Sequence, residues 1–381
     1  MEDHLEVEEN GYYWKGKPAI IKGDLGKLKK PLVVELFSGC GGTSVGFEMA
    51  GFDIAIGADI HGPSIATFKR NHPNAVAILG DIKKMTPQLV KELMGNRKID
   101  VLIAGVPCQG FSLNNRKRHS NDKRNFLYKE YIKYLEYLQP RIAILENVSG
   151  MLSTANGEFA KNIENEISRA GNMKVTSRLL NAAEYGVPQL RKRLVFVGVK
   201  GNKEFLFDKD LKKTNGPDTS KPFVAVGEAI LDLPALNPNE EKNYYQTEPK
   251  NSYQKLMRRK GGKILLNHKA PNHPDETIEM IKNTKPGSPM YAKYKQRIRL
   301  SLSDPSPTQV CGGIRPQFQF GHPIDARGLS IRERCRIQSF PDDFEICGGI
   351  VQGRVQTGNA VPPLLAKAIA NGLFKFIKKG K

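Results

Sequence analysis

The chain has 381 residues, with 59 lysines and arginines against 39 aspartates and glutamates, for a formal charge of +20. That length accommodates two ordinary domains with cores that need no disulfides, and the charge favours a polyanionic partner, nucleic acid or an acidic membrane surface, although a solvated basic surface would read the same way. Five cysteines (Cys40, Cys108, Cys311, Cys335 and Cys347) with no C-x-x-C pair argue against a disulfide framework or a zinc site. The absence of an apolar run near ~18–20 residues and the acidic start Met1 to Asn10 lead us to expect a soluble protein of a reducing, intracellular compartment with no leader peptide.

In chain order, residues 1–30 read as an arm that packs on the main domain, with Tyr12, Tyr13 and the single tryptophan Trp14 followed by a lysine-rich stretch. Strands are expected at Leu32 to Phe37, Asp53 to Ile60, Val76 to Leu79, Ile99 to Ala104 and Arg141 to Leu145, where short apolar runs rich in β-branched residues meet glycine or proline. Between them, Thr43 to Ala50 (stopped by Gly51) and Pro87 to Met94 read as helices, and Phe126, Leu127, Tyr131, Leu135 and Leu138 recur at helical spacing. Two more strands are expected at Val175 to Leu180 and Leu194 to Val199. Strand–helix alternation of this kind predicts an α/β fold with a largely parallel sheet covered on both faces. The first domain therefore spans residues 31–202. The rhythm then breaks, and residues 203–321 form a smaller second domain rich in lysine, asparagine, proline and tyrosine. Residues 322–356 return the chain, and 357–381 complete the first domain through a turn and a helix ending near Ile377.

Chemistry-bearing motifs sit where the expected strands end. Glu35-Leu36-Phe37-Ser38-Gly39-Cys40-Gly41-Gly42 joins a strand to a helix N-terminus through glycines, which makes a nucleotide-type binding corner or simply a packing turn; Ser44 stands where a dinucleotide fingerprint would have its third glycine. Asp59 and Asp81 end the next two strands, and the first of these suits ribose hydroxyls. Cys108 lies in the stiff turn Val106-Pro107-Cys108-Gln109, facing a ligand rather than a core, so that it is either a reactive thiol or a small buried hydrophobe. Glu146, in Glu146-Asn147-Val148, would be partly desolvated and able to carry a proton, unless it is a cap or a surface carboxylate. In Gln189-Leu190-Arg191-Lys192-Arg193 alternation puts Gln189, Arg191 and Arg193 on one face, aimed at a carboxylate or a substrate oxygen, or forming a solvated charge row. Gly358-Asn359-Ala360-Val361-Pro362-Pro363 looks like the capped start of the last helix. His268 and His273 have no third ligand at metal spacing and read as structural or phosphate-facing, so no metal site is expected.

From Val33 to Ala370 these motifs, in this order, resemble the DNA cytosine-5 methyltransferase family. The match is carried by Phe37-x-Gly39-x-Gly41, Pro107-Cys108-Gln109, Glu146-Asn147-Val148, Gln189-x-Arg191-x-Arg193 and Gly358-Asn359-x-Val361-Pro362, and supported by His322-Pro323, Arg327-x-Leu329-Ser330 and Gln338-Ser339-Phe340-Pro341. The resemblance implies a Rossmann-like S-adenosylmethionine-dependent methyltransferase domain with a smaller target-recognition domain inserted between Arg193 and Gly358. It implies Cys108 as the nucleophile, Glu146 as the group that handles the proton at ring nitrogen 3, Arg193 as its positioner and Arg191 as support for the Cys108 loop. It places Phe37, Gly39, Gly41, Gly42, Asp59, Ile60, Asp81, Ile82, Pro107, Asn359 and Ala360 against S-adenosylmethionine. It implies double-stranded DNA as the partner, a flipped cytosine, and DNA contacts from Gln109, Ser112, Arg116, Arg118, Arg124, Arg258, Arg259 and Thr308. The basic stretch Asn114 to Arg124 lacks apolar anchors and is expected to close on phosphates.

Three rivals are weaker. A transfer-RNA methyltransferase of the same branch would carry a Cys-Phe-Thr motif that is absent here; a decayed binding module would not keep Cys108, Glu146 and the glycine turn together; an exocyclic amino methyltransferase would not have Val106-Pro107-Cys108 after that strand. A catalytic core with one small recognition region is what the modification half of a restriction–modification pair looks like. A monomer acting on DNA in the prokaryotic cytoplasm, alongside an endonuclease reading the same site, is therefore expected.

Overall fold

Short aliphatic runs separated by glycine, proline and capping residues make an open sheet, and the computed structural model describes residues 7–8, 11–107, 127–151, 158–311 and 319–377. Cys108, Gln109, Ser112, Arg116, Arg118 and Arg124 lie outside the described residues. The first half of the chain runs through β1 (Val7–Glu8), β2 (Gly11–Tyr12), β3 (Ala19–Ile21), β4 (Leu32–Leu36), α1 (Gly42–Ala50), β5 (Asp53–Asp59), α2 (Gly62–Asn71), β6 (Val76–Leu79), α3 (Pro87–Met94), β7 (Val101–Gly105), α4 (Tyr128–Leu138), β8 (Ile142–Val148), α5 (Glu158–Gly171), β9 (Met173–Asn181), β10 (Gln189–Leu190) and β11 (Lys192–Lys200). The sheet order is β3-β6-β5-β4-β7-β8-β11-β9. The pairs from β6 to β8 are parallel, whereas β3 on β6, β8 on β11 and β11 on β9 are antiparallel.

Local chemistry explains the boundaries. α3 starts where Thr86 Oγ1 accepts the Leu89 N–H, has Pro87 in its first turn, and stops at Gly95. α1 stops at Gly51, whose φ of 103° a side chain would resist. The sequence reading passed over three elements. α2 opens on Gly62-Pro63, which looks like a turn, and α5 buries Ala160, Ile163, Ile167 and Ala170 along one face of an otherwise polar segment. β3, from the arm, extends the sheet at the β6 edge through Ala19↔Leu79, Ile20↔Ile78 and Ile21↔Ala77.

The second half holds α6 (Phe207–Asp210), α7 (Val226–Ile230), α8 (Ser252–Met257), α9 (Asp275–Asn283), β12 (Ile298–Arg299), β13 (Ser306–Pro307), β14 (Phe320–Gly321), α10 (Ile331–Ile337), α11 (Ile350–Asn359) and α12 (Pro363–Ile377). Much of its interior is ionic. Arg336 is fully buried between Asp232 (3.1 Å) and Asp342 (2.5 Å), and Arg327 is buried against Glu333 (2.8 Å). Arginines that also donate to main-chain carbonyls leave no apolar rhythm to read. The boundary expected at 356/357 falls inside α11, and Asn359 ends that helix instead of capping the next. The span Ile350–Ile377 is long and apolar enough by composition to cross a bilayer, contrary to the expectation that no such run exists. Leu365, Ile369, Leu373 and Ile377 nevertheless recur every fourth residue and are buried in the same core as Phe47 of α1, as in a core helix.

Candidate active site

Strand order reverses at β4: the chain fills β5 and β6 on one side, then crosses to β7 and β8 on the other. Such a switch point leaves a crevice beyond the carboxyl ends of β4 and β7, because the connections there diverge to opposite faces. A cavity of ≈ 350 Å³ lies there, lined by the turn after β4 (Phe37 to Cys40), the ends of β5 and β8, Gly105 to Pro107, Arg191, Arg193 and the stretch Gly358 to Val361. A smaller recess of ≈ 90 Å³ is bounded by Phe37, Asp59, Ile60, Gly80, Asp81, Ile82, Met85, Pro107 and Leu127. At 4.7–4.9 Å per strand, the three steps from β5 to β8 put Asp59 roughly 14 Å from Glu146 along the crevice.

The turn after β4 is conformationally demanding. Phe37 is left-handed at φ 56°, and Gly41 at φ 93° caps α1 with no side-chain bond, leaving the helix N-terminus open. A Cβ on Gly41 would sit 2.8 Å from His72 Nε2. Asp59 braces the turn, accepting the Gly39 N–H through Oδ2 and the His61 N–H through Oδ1, each at 2.8 Å. Among the lining residues, Ser38 Oγ and Gln356 Oε1 are buried with no hydrogen-bond partner. Unsatisfied polar atoms, an open helix N-terminus and a carboxylate at the second strand end fit a polar, nucleoside-bearing ligand. Phe37, Gly39, Gly42, Asp59, Ile60, Pro107, Asn359 and Ala360 all face the larger cavity, and Asp81 and Ile82 the smaller one, whereas Gly41 lies behind its wall.

At the other end, Arg193 Nε meets Glu146 Oε1 at 2.6 Å, with side chains 11% and 16% exposed. Burial pushes the Glu146 carboxyl above its ordinary range, against the pull of Arg193 and Arg191. Asn147 accepts the Val148 N–H at 2.7 Å and donates to Val106 O at 3.4 Å, tying the β8 end to the turn that leads into Cys108. The alternation expected for residues 189 to 193 is present: Gln189 and Arg191 are buried while Leu190 and Lys192 are exposed. Arg191 donates to Gln309 O and Gly358 O, both at 2.8 Å, and Gln189 accepts the Gln309 N–H. A Cβ on Gly358 would lie 2.3 Å from the Cys311 nitrogen, so this strap passes close over the last motif.

Several expected DNA-facing residues are occupied internally. Arg258 is the clearest correction: it is nearly buried, paired with Asp232 at 2.6 Å, stacked 3.6 Å over the Tyr245 ring, and donates to Thr247 O. Arg259 and Lys260 pair with Asp343 from more exposed positions, and Thr308 donates to Leu190 O at 2.7 Å. His268 bonds Ser330 and Pro234 O, and His273 accepts the Gly328 N–H, so both are structural. Sequence reasoning gave no role to Glu35, a buried carboxylate lining the cavity and hydrogen-bonded by Ser44. Burial pushes Glu35 up to about 7, with bonds from Ser44 and Thr43 and the His72 charge opposing. The only available signal was an acidic residue inside an apolar central strand.

A family model described as C-5 cytosine-specific DNA methylase matches residues 32–375. The chain is 33% identical to the type II methyltransferase M1.HphI of Haemophilus parahaemolyticus, over 96% of this chain and 93% of that protein. It is 34% identical to the type II methyltransferase M.DdeI of Desulfomicrobium norvegicum, over 89% of this chain and 87% of that one. A crystal structure of a proposed DNA modification methyltransferase encoded within an E. coli prophage superposes with a TM-score of 0.76 at 25% identity, covering 92% of this chain and 100% of that one.

Proposed function

The chain belongs to the C-5 cytosine-specific DNA methylase family, and from that premise we propose that it modifies one cytosine of a short double-stranded sequence through a covalent adduct on Cys108. It is a DNA (cytosine-5-)-methyltransferase, and its family uses S-adenosylmethionine, whose sulfonium supplies an electrophilic methyl group. Phe37, Gly39, Gly42, Asp59, Ile60, Pro107, Asn359 and Ala360 would hold that group in the larger cavity, with Asp81 and Ile82 at the recess beside it and Gly41 keeping the turn open.

The observation that carries the mechanism is the buried Glu146–Arg193 pair beside the turn into Cys108. Carbon 5 of cytosine is a weak nucleophile. Addition of the Cys108 thiolate to carbon 6 moves an electron pair toward carbon 5, while a protonated Glu146 gives its proton to ring nitrogen 3 and keeps the ring neutral. With S-adenosylmethionine bound, carbon 5 would take its methyl group as the sulfur–methyl bond breaks and S-adenosylhomocysteine leaves as a neutral thioether; Glu146 would regain its proton from nitrogen 3, a base would remove the carbon 5 proton, and the carbon 6–sulfur bond would break to free Cys108. Arg193 orients Glu146, and Arg191 clamps the strands that frame it. The stacked base is out of reach inside a duplex, so the cytosine must be flipped into the crevice. Gln109, Ser112, Arg116, Arg118 and Arg124 are assigned to the strand around the flipped base, and Arg259 and Thr308 to DNA beside it, within a target-recognition domain at residues 203–321. Relatives named as type II methyltransferases support a role in protecting host DNA from a cognate endonuclease in a prokaryotic cytoplasm.

The test is transfer of tritium from labelled S-adenosylmethionine to mixed genomic DNA and to transfer RNA, with Cys108→Ala in parallel. Label in 5-methylcytosine of DNA, lost in the variant, is the expected result; bisulfite sequencing then gives the site. Label in transfer RNA alone, or label that survives Cys108→Ala, overturns the proposal.

A further inference from the structure

The N-terminal arm does more than cover an edge. Trp14 is almost buried, donates its indole N–H to Lys17 O at 2.6 Å, and through its main-chain N–H bonds Ile60 O at 2.9 Å. Further along, β3 is locked to β6 and Lys69 Nζ donates to Lys22 O at 2.6 Å. The arm is thus fastened along β5 and β6, whose ends carry Asp59 and Asp81. Tyr13, one residue before the Trp14 anchor, bridges His61 and enters the wall of the ≈ 350 Å³ cavity together with Asp59, Ile60 and Ser64. Its ring lies 5.6 Å from the His61 ring at an interplanar angle of 51°. His61 is itself held, with Nδ1 2.7 Å from Ser64 Oγ and Nε2 3.2 Å from Gln352 Oε1.

We propose that Tyr13 is a cofactor-binding residue, an aromatic wall that the arm contributes beside Asp59. The inference rests on the reading that this cavity takes S-adenosylmethionine. An aromatic face there presents apolar surface to the ligand and shields the hydrogen bonds made by Asp59 from water. The fastening of the arm is carried by Trp14, β3 and Lys69, so the Tyr13 ring can be changed without releasing it.

The experiment is calorimetric titration of the full chain with S-adenosylmethionine and with S-adenosylhomocysteine, followed in parallel by fluorescence of Trp14, the single tryptophan. Tyr13→Ala should weaken binding of both about five- to tenfold, the scale of one lost aromatic contact. Tyr13→Leu should also weaken it, and Tyr13→Phe should stay within about twofold of wild type. The melting temperature without ligand should not move. Wild-type affinity in Tyr13→Ala and Tyr13→Leu, with wild-type binding intact, overturns the proposal alone. Failure of the wild-type chain to bind either ligand overturns the assignment of the cavity as well.

Discussion

Replacing Glu35 by glutamine should stabilise the ligand-free protein, and only above mildly acidic pH. The carboxyl sits in the central strand β4, 2% exposed, and burial lifts it from an ordinary 4.5 to about 7. A group whose folded value lies above its unfolded value contributes stability that is fully present below 4.5 and is lost as pH rises through 7. At about 1.36 kcal/mol per pH unit, the gap corresponds to about 3 kcal/mol of burden carried by the ionised form at pH 8. Glutamine keeps the shape and an oxygen for the Ser44 hydroxyl but never ionises. The Glu35→Gln midpoint should therefore match wild type near pH 4.5, rise above it between 4.5 and 7, and level off at an advantage of roughly 5 °C beyond pH 7. Thermal unfolding followed by fluorescence at half-unit pH steps, without cofactor, reads the curve directly. A difference that is flat with pH, or that shrinks as pH rises, would refute the reasoning.

Arg193→Ala should lower kcat by about a hundredfold or more while leaving S-adenosylhomocysteine affinity unchanged, because it frees Glu146 without touching the strand ends across the crevice; single-turnover rates and calorimetry separate the two. Asp59→Ala removes the acceptor for Gly39 and His61 N–H groups and should weaken cofactor binding at least about tenfold, measured by the same titration. Arg258→Ala should act on stability and leave DNA affinity in place. Breaking a buried pair costs about 3–5 kcal/mol when a charge is stranded, but Asp232 keeps Arg336, so about 2 kcal/mol is expected from urea unfolding, with an unchanged salt slope of DNA binding.

The parts legible in sequence are those whose physics is local. Val76–Leu79 and Pro87–Met94 were readable to the residue because an apolar run ends at glycine in one case, and a threonine cap, a first-turn proline and a closing glycine frame the other. The cavity at the turn after β4 was readable as a place in the fold because glycines and a strand-end carboxylate mark where the chain turns from strand to helix. Arg258 was misread for the opposite reason: a basic run followed by glycines looks like a surface tract, and nothing near it in the chain announces Asp232, twenty-six residues away, or the Tyr245 ring. The place of Tyr13 in the cavity wall was invisible on the same grounds, since it meets His61, far along the chain, only through an isolated bridge that no local pattern announces.

The period-two row at 189–193 shows how far such a pattern can be pushed. Alternation says only that Gln189, Arg191 and Arg193 share a face, and all three could have been one binding row. The structure divides them by what stands opposite. Arg193 finds the end of the neighbouring strand β8 and pairs with Glu146. Arg191 finds two carbonyls, Gln309 O and Gly358 O, that arrive from segments more than a hundred residues further along. Gln189 receives the Gln309 N–H and reaches Ile337 O and Gln338. A planar guanidinium that satisfies two separate carbonyls fixes the return of the chain as firmly as a strand pairing would. The Glu146 carboxylate is therefore aligned by one arginine, while the next arginine on that face holds together the segments that enclose it.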